Sequence, residues 1–394
     1  QTPEDAKMNL FADIRTLVLH SLDAMVAEGA LPDGLDFANV AVEPPRDAAH
    51  GDMATNAAMV LAKPAGMKPR DIAEMLASKL AEDPRITSAE IAGPGFLNFR
   101  LSQHFVQTLL NQIIGEGVKF GARRDAASHA VCYQSENDCQ RQKWSAEATV
   151  RLLAHLGNEV CLTTESGEPE RAKELIEESL DAHGGPRRES EAELRSLGNQ
   201  LAVITLALSR GDHVTFFASQ GAHFRPGLFE NIRQANLTCH GLAPLTLPQN
   251  LDADALSLAQ LVCLSSRADK ALALTERCLR APTSDNVAFS LQYAALMCRN
   301  GACGSDDIVL SDREMHLASV LASFPAVLRL AGQLGEPHRV GLFLANCADL
   351  LGEGAHKSQW RDQKTISGRV LAAADVVFSV GLSILNVQLL DEIS

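Results

Sequence analysis

The sequence has no long run of lysine and arginine. Across 394 residues there are 35 Lys plus Arg against 49 Asp plus Glu, a net charge of -14. That balance argues against a protein that coats DNA, and no specific DNA partner is expected. It leaves room for a shape-specific RNA binder whose basic patch is assembled in three dimensions. No stretch of 18 uncharged apolar residues occurs, so no membrane span is expected. The nine cysteines are odd in number and irregular in spacing. They form no disulfide framework, and a reducing cytoplasm is the simple reading. Cys298 and Cys303 are too far apart for the first pair of a zinc knuckle, so no metal site is assigned. The first residues are acidic and lack an apolar run, unlike a signal peptide, and Met8 is a candidate natural start. Internal repeats and low-complexity tracts are absent. Aromatics are scarce, at 5% with two Trp and two Tyr, while Leu and Ala dominate, which favours helices.

What is present suffices for two or three domains and a large core, with 46% apolar residues. Leu10, Ile14, Leu17, Val18, Leu22 and Met25 recur at helical spacing. A strand ending at Pro44 follows, then a loop with His50, Gly51 and Asp52, then a helix from about Met53 to Leu61. "KPRDIAEMLASKLAED" predicts a helix with Pro69 in its first turn, and "ITSAEIAGPGFLNFRLS" a strand pair broken by glycines. The first domain is therefore α+β and spans 8–115. Residues 116–251 read as α/β. "HAVCYQSEN" is a short strand, "AEATVRLLAHLGNEVCLTT" is helix, turn and strand, and "PERAKELIEESLDA" is a charged helix. "GGPRRESE" is a connector, a helix and strand end near residue 219, and 220–250 have little pattern. Residues 252–394 read as a helical bundle, with long helices at 284–299, 311–333, 336–351 and 361–385.

The stretch "PPRDAAHGDMATNAAMVLAK", residues 44–63, looks like a site because His50, Asp52 and Asn56 lie together. The structural reading is that Gly51 supplies a permissive dihedral and Asp52 caps the helix from Met53. Asn56 would then bond a loop.

This stretch resembles the N-terminal domain of bacterial, alphaproteobacterial-type arginyl-tRNA synthetases, as does "IAGPGFLNFRLS". "SDNVAFSLQYAALMC", "LASFPAVLRLAGQLGEPHRVGLFLANCADL" and "LDADALSLAQLVCLSSRADKALAL" resemble that family's helical anticodon-binding domain and the join leading to it. The resemblance implies a Rossmann-like catalytic centre, yet the centre departs from the family. Where an Asn-Pro-Thr-Gly turn and a His-x-Gly-His motif are expected, the chain has Asp138, Cys139, Gln140, Arg141, Gln142, Lys143 and Trp144. The glycines that allow close phosphate approach are replaced. "HGLAPLTLPQN" stands where a Lys-Met-Ser-Lys type loop is expected, and it contains no lysine. These two elements flank the triphosphate in the adenylation reaction. The expectation is a shortened paralogue with a reduced α/β centre, no catalytic residues and no cofactor. Arg141 and Lys143 read as part of a solvated loop, with anion binding as the sharper alternative. Cys139 has no histidine base beside it in the sequence, which disfavours a nucleophile role.

The resemblance implies that the first domain meets the outer corner of tRNA. Arg46, His50, Asn56, Lys63, Lys68 and Arg70 are the candidates for RNA contact there. In the helical domain Tyr293 either packs in the core or stacks on a base. His338 and Arg339, at a helix start after Pro337, are candidates near the anticodon surface or plain packing residues. Two functions follow. One is binding of tRNA or another structured RNA without aminoacylation. The other is a protein-interaction, regulatory or structural role in a larger assembly.

Overall fold

A computed structural model describes residues 10–43, 51–123, 127–133, 140–163, 204, 207, 213–220, 236–283, 285–301, 309–352 and 366–390. In chain order the elements are α1 (Leu10–Ala27), β1 (Val42–Glu43), β2 (Met53–Thr55), α2 (Ala57–Ala65), α3 (Pro69–Leu80), β3 (Ile86–Ala92), β4 (Phe96–Leu101) and α4 (Gln103–Glu116). Next come β5 (Ser128–Tyr133), α5 (Gln140–His155), β6 (Glu159–Thr163), β7 (His213–Ser219), β8 (Asn236–Leu242) and β9 (Leu245–Thr246). The last third holds α6 (Ala253–Leu264), β10 (Leu272–Ala273), α7 (Glu276–Arg280), α8 (Val287–Gly301), α9 (Asp312–Ala322), α10 (Phe324–Leu334), α11 (His338–Gly352) and α12 (Gly368–Ile384). The architecture is an α+β N-terminal region, an α/β Rossmann-like centre and a C-terminal all-α bundle. The chain divides into two compact units, one of residues 1–120, 297–326 and 361–377, the other of 121–296, 327–360 and 378–394.

In the first unit an antiparallel sheet has the order β1-β2-β4-β3. Leu97, Phe99 and Leu101 alternate into its core, the period-2 pattern of a half-buried strand. The predicted stripe of α1 is buried from Leu10 to Met25. Pro69 occupies the first turn of α3, where its missing N–H costs nothing. Residues 53–55 are a strand rather than the start of the predicted helix, because Met53, Ala54 and Thr55 pair with β4 and the last two also pair with β1. The helix begins four residues later, at Ala57. Gln103 clamps Leu310, donating to its carbonyl at 2.7 Å and accepting from its N–H at 3.0 Å.

In the second unit β6-β5-β7-β8 form a wholly parallel sheet. One face carries Val131, Tyr133, Phe217 and Leu242, which pack against Ala146, Val150 and Leu153 of α5. β8 falls where the sequence shows little pattern. Its thiol, hydroxyl and imidazole side chains hide a strand that pairs with β7 over seven positions. The helix expected over 311–333 is interrupted at Ser323, and Pro325 lies in the first turn of α10. Residues 312–334 are long and apolar enough to cross a membrane by length and composition alone, but 61% of that window is buried within the protein. The charged helix, the connector and the start of the helix expected over 361–385 lie outside the described residues.

Candidate functional site

The order of the parallel sheet reverses between β5 and β7. From β5 the chain goes to β6 on one side, then crosses to β7 on the other. Open α/β sheets bind ligands outside the carboxyl ends of their strands at such a point. Beside the two strands on the far side of that point, β7 and β8, is a cleft lined by Arg141, Ser145, Phe217, His240, Leu242, Cys263, Gly335, Glu336 and His338, among others. Its free volume is about 10 Å³, room for about one water molecule.

The filling group is Arg141. Residues 140–144, expected in a solvated loop, instead open α5, and Arg141, Gln142 and Trp144 are buried. The guanidinium of Arg141 donates to the carbonyls of Ala243 at 2.6 Å, Lys270 at 2.8 Å and Arg267 at 2.9 Å. These acceptors belong to two loops, one after β8 and one after α6. The loops also join through the Ala243 N–H, which donates to Ala268 O at 2.9 Å. The Gln142 amide donates to Ser219 Oγ at the end of β7. The first turn of α5 is thus spent on protein groups. Lys143 faces outward, 4.0 Å from Glu147. Cys139 lies outside the described residues.

Two histidines face the cleft. Burial pushes the imidazoles of His240 and His338 below their ordinary pKa, while Glu336 works against it for both. Nε2 of His240 is buried with no hydrogen-bond partner among the described residues. Burial raises the Cys263 thiol to about 11, with Arg141 opposing. The thiol is therefore protonated at neutral pH and is not a poised nucleophile. Among the described residues no cluster of three or more His, Cys, Asp or Glu side chains could hold a metal ion.

Of the candidates for RNA contact, Arg46 and His50 lie outside the described residues. Lys63, Lys68 and Arg70 are exposed, within and just after α2 and at the start of α3. Arg70 pairs with Glu74 at 3.3 Å, both largely solvated. Asn56 bonds a loop, accepting from Ala41 N at 2.8 Å and donating to Asn39 O at 3.3 Å. Asp52 does not cap a helix. Its N–H donates to Phe99 O at 3.1 Å, and its carboxylate accepts from Leu101 N at 2.8 Å. Phe96, 45% exposed, was not among the candidates. It follows Gly95, which lies against Pro69, beside Lys68 and Arg70. An aromatic directly after a Gly-Pro-Gly turn was the signal available for it.

In the second unit Tyr293 is half-buried and stacks on Phe289, with ring centroids 5.9 Å apart. His338 and Arg339 diverge. His338 lines the cleft, while Arg339 pairs with Glu336.

An antiparallel α+β region, a Rossmann-like parallel sheet and a helical bundle on one chain also occur together in solved arginyl-tRNA synthetases. The solved arginyl-tRNA synthetase of Plasmodium falciparum superposes with a TM-score of 0.66 over 98% of this chain and 100% of that one, at 10% identity. That of Thermus thermophilus gives 0.60 over 97% and 100%, at 11% identity. At such identities the likeness shows the fold alone. The sequence relationship is carried by the N-terminal region, where residues 12–101 match the family model of the arginyl tRNA synthetase N terminal domain. Over 114 residues the chain is 73% identical to the arginine–tRNA ligase of Ruegeria sp. (strain TM1040) and 68% identical to that of Paracoccus denitrificans. Each match covers 29% of this chain and 20% of the relative. The chain is thus related to arginyl-tRNA synthetases, through a region spanning about a fifth of these curated relatives' length.

Proposed function

We propose that this protein is a shortened, catalytically inactive paralogue of arginyl-tRNA synthetase that binds tRNA or another structured RNA without charging it. The observation that carries the reading is the first turn of α5. It stands where a phosphate-holding motif is expected, and its buried Arg141 and Gln142 are bound to protein groups. The N-terminal region, at 73% identity to an arginine–tRNA ligase, keeps exposed cations at Lys63, Lys68 and Arg70. Purified protein free of host synthetase is expected to show no arginine-dependent ATP–pyrophosphate exchange and to retain total tRNA on a filter at low salt. Exchange above background would overturn the first half. Loss of all retention at about 50 mM salt would overturn the second, because phosphate-driven binding is strongest there.

A protein-interaction role is the second reading. Leu330 on α10 and Leu342 on α11 are 45% and 39% exposed, and Leu334 is also exposed. A stoichiometric protein partner in a pull-down, with no tRNA retained, would favour it.

A further inference from the structure

A buried cation in the first turn of a helix is badly placed by local rules. The helix dipole is positive there, and burial strips the charge of water. Arg141 accepts both costs: it is the second residue of α5 and only 3% exposed. Among the described residues no carboxylate bonds it. Its hydrogen bonds run to three backbone carbonyls contributed by two loops, 102 to 129 residues away in sequence, with the Cys263 thiol also beside it. Those carbonyls are held independently of Arg141 by the Ala243–Ala268 bond and by the bond from Leu272 N–H to Pro244 O, each 2.9 Å. The short parallel pair of β9 and β10 adds further support. Leu245 and Leu272 are Cα partners there, so the two loops are tied just beyond the cage.

We propose that the carbonyls of Ala243, Arg267 and Lys270 form a preorganised receptor for a guanidinium group, and that Arg141 is its internal ligand, which fills the crevice beside β7 and β8. The inference rests on the reading of that crevice as non-catalytic and adds what occupies it. The carbonyls are divided between two nitrogens of a flat cation, Nη1 bonding Ala243 and Lys270 and Nη2 bonding Arg267. An ammonium presents its donors from a single nitrogen and does not reproduce that spacing, and a phosphate would be repelled. With the side chain removed, the cage should accept a free guanidinium compound.

The test deletes the ligand and returns it. Ethylguanidinium replaces the atoms that Arg141→Ala removes beyond Cβ. The full-length Arg141→Ala chain is expected to melt several degrees below wild type. Ethylguanidinium chloride should raise its midpoint saturably, by about 2 °C or more once well above its dissociation constant. Sodium chloride and ethylammonium chloride at equal concentration should not, and the wild-type midpoint should not rise. Failure of ethylguanidinium to exceed sodium chloride overturns the proposal. If Arg141→Ala does not accumulate, Arg141→Met and Arg141→Lys are measured instead, and both should melt below wild type. A wild-type midpoint in either shows that the cage has no use for a guanidinium. These readouts are independent of activity. Pyrophosphate exchange by the wild-type chain would sink the non-catalytic reading while leaving the rescue result to stand or fall alone.

Discussion

Asp52 shows how a residue legible as special can be misassigned in role. Its place after His50 and Gly51 suggests a helix cap, yet it holds a strand. The Leu101 N–H is its partner at 2.8 Å. Gly51 does adopt the permissive dihedral expected of it, at φ +136°, and a Cβ there would lie 3.0 Å from Phe99 O. Burial raises the Asp52 pKa, while the Leu101 bond, Arg100 and His316 pull it down and Asp312 pushes it up. A carboxyl whose folded pKa lies above its unfolded value stabilises below about pH 3.8 and loses that contribution as pH rises through the folded value. Asp52→Asn, which keeps an acceptor, should therefore gain stability relative to wild type as pH rises above about 3.8. Asp52→Ala strands the Leu101 donor and should cost about 1–3 kcal/mol in urea unfolding. Equal unfolding midpoints for the two variants would contradict this account. His240 has the opposite sign. Its folded pKa is depressed by burial, with Glu336 opposing. Its contribution is complete above about pH 6.5 and is lost as pH falls toward the folded value. Arg141, His338 and Arg339 also stand at this end of the sheet, and each would repel a second cation. Melting midpoints from pH 7.5 to 5 should fall, and less steeply in His240→Gln. An unchanged slope in that variant would place the acid sensitivity elsewhere.

At the scale of elements, local periodicity sufficed wherever a helix buries one face. Asn286, just before α8, donates to Leu279 O and Ala281 O at 2.9 Å and accepts from Ala288 N at 3.1 Å. What stayed hidden depends on distant partners. β8 owes its existence to β7, and Arg141 reads as solvated because its carbonyl acceptors are more than a hundred residues away. The break at Ser323 was marked only by Pro325, two residues later, within an otherwise continuous apolar pattern. Close helix approach is equally invisible. Gly341 of α11 lies so near the end of α6 that a Cβ would sit 2.2 Å from Leu264 O and 2.7 Å from Ser265 Oγ. Backbone at that distance cannot rotate away. Alanine favours an isolated helix over glycine by about 1 kcal/mol. Gly341→Ala should nevertheless destabilise the chain by about 1–3 kcal/mol, because overpacking against a fixed carbonyl outweighs propensity. Chemical denaturation reads the sign directly. A stabilised variant would mean that α6 and α11 slide apart at little cost.

For the whole molecule, the excess of acidic residues sets the terms of any RNA complex. At net charge -14 the long-range field repels a polyanion. An attractive site must then be local and short-ranged, and RNA binding remains our proposal. Lys63, Lys68 and Arg70 supply three exposed cations over a short stretch of chain, and the exposed Phe96 ring lies at the neighbouring turn. Arg70 is only loosely engaged by Glu74, an exposed pair worth at most a few tenths of a kcal/mol. Its charge is therefore available to a phosphate. Phosphate contacts position without reading sequence, so Lys68→Glu and Arg70→Glu should weaken binding to every tRNA alike. Each should also flatten the plot of log affinity against log salt by about one unit. Phe96→Ala should behave differently, weakening binding with little change in salt slope, because stacking releases no counterions. Tyr293→Leu or Arg339→Ala should distinguish one tRNA from another if those side chains reach bases. Filter binding of wild type and these variants to unfractionated and single tRNAs, from low to moderate salt, separates the effects. A wild-type affinity that does not vary with salt would remove the phosphate-contact argument, and with it the case for RNA over a protein partner.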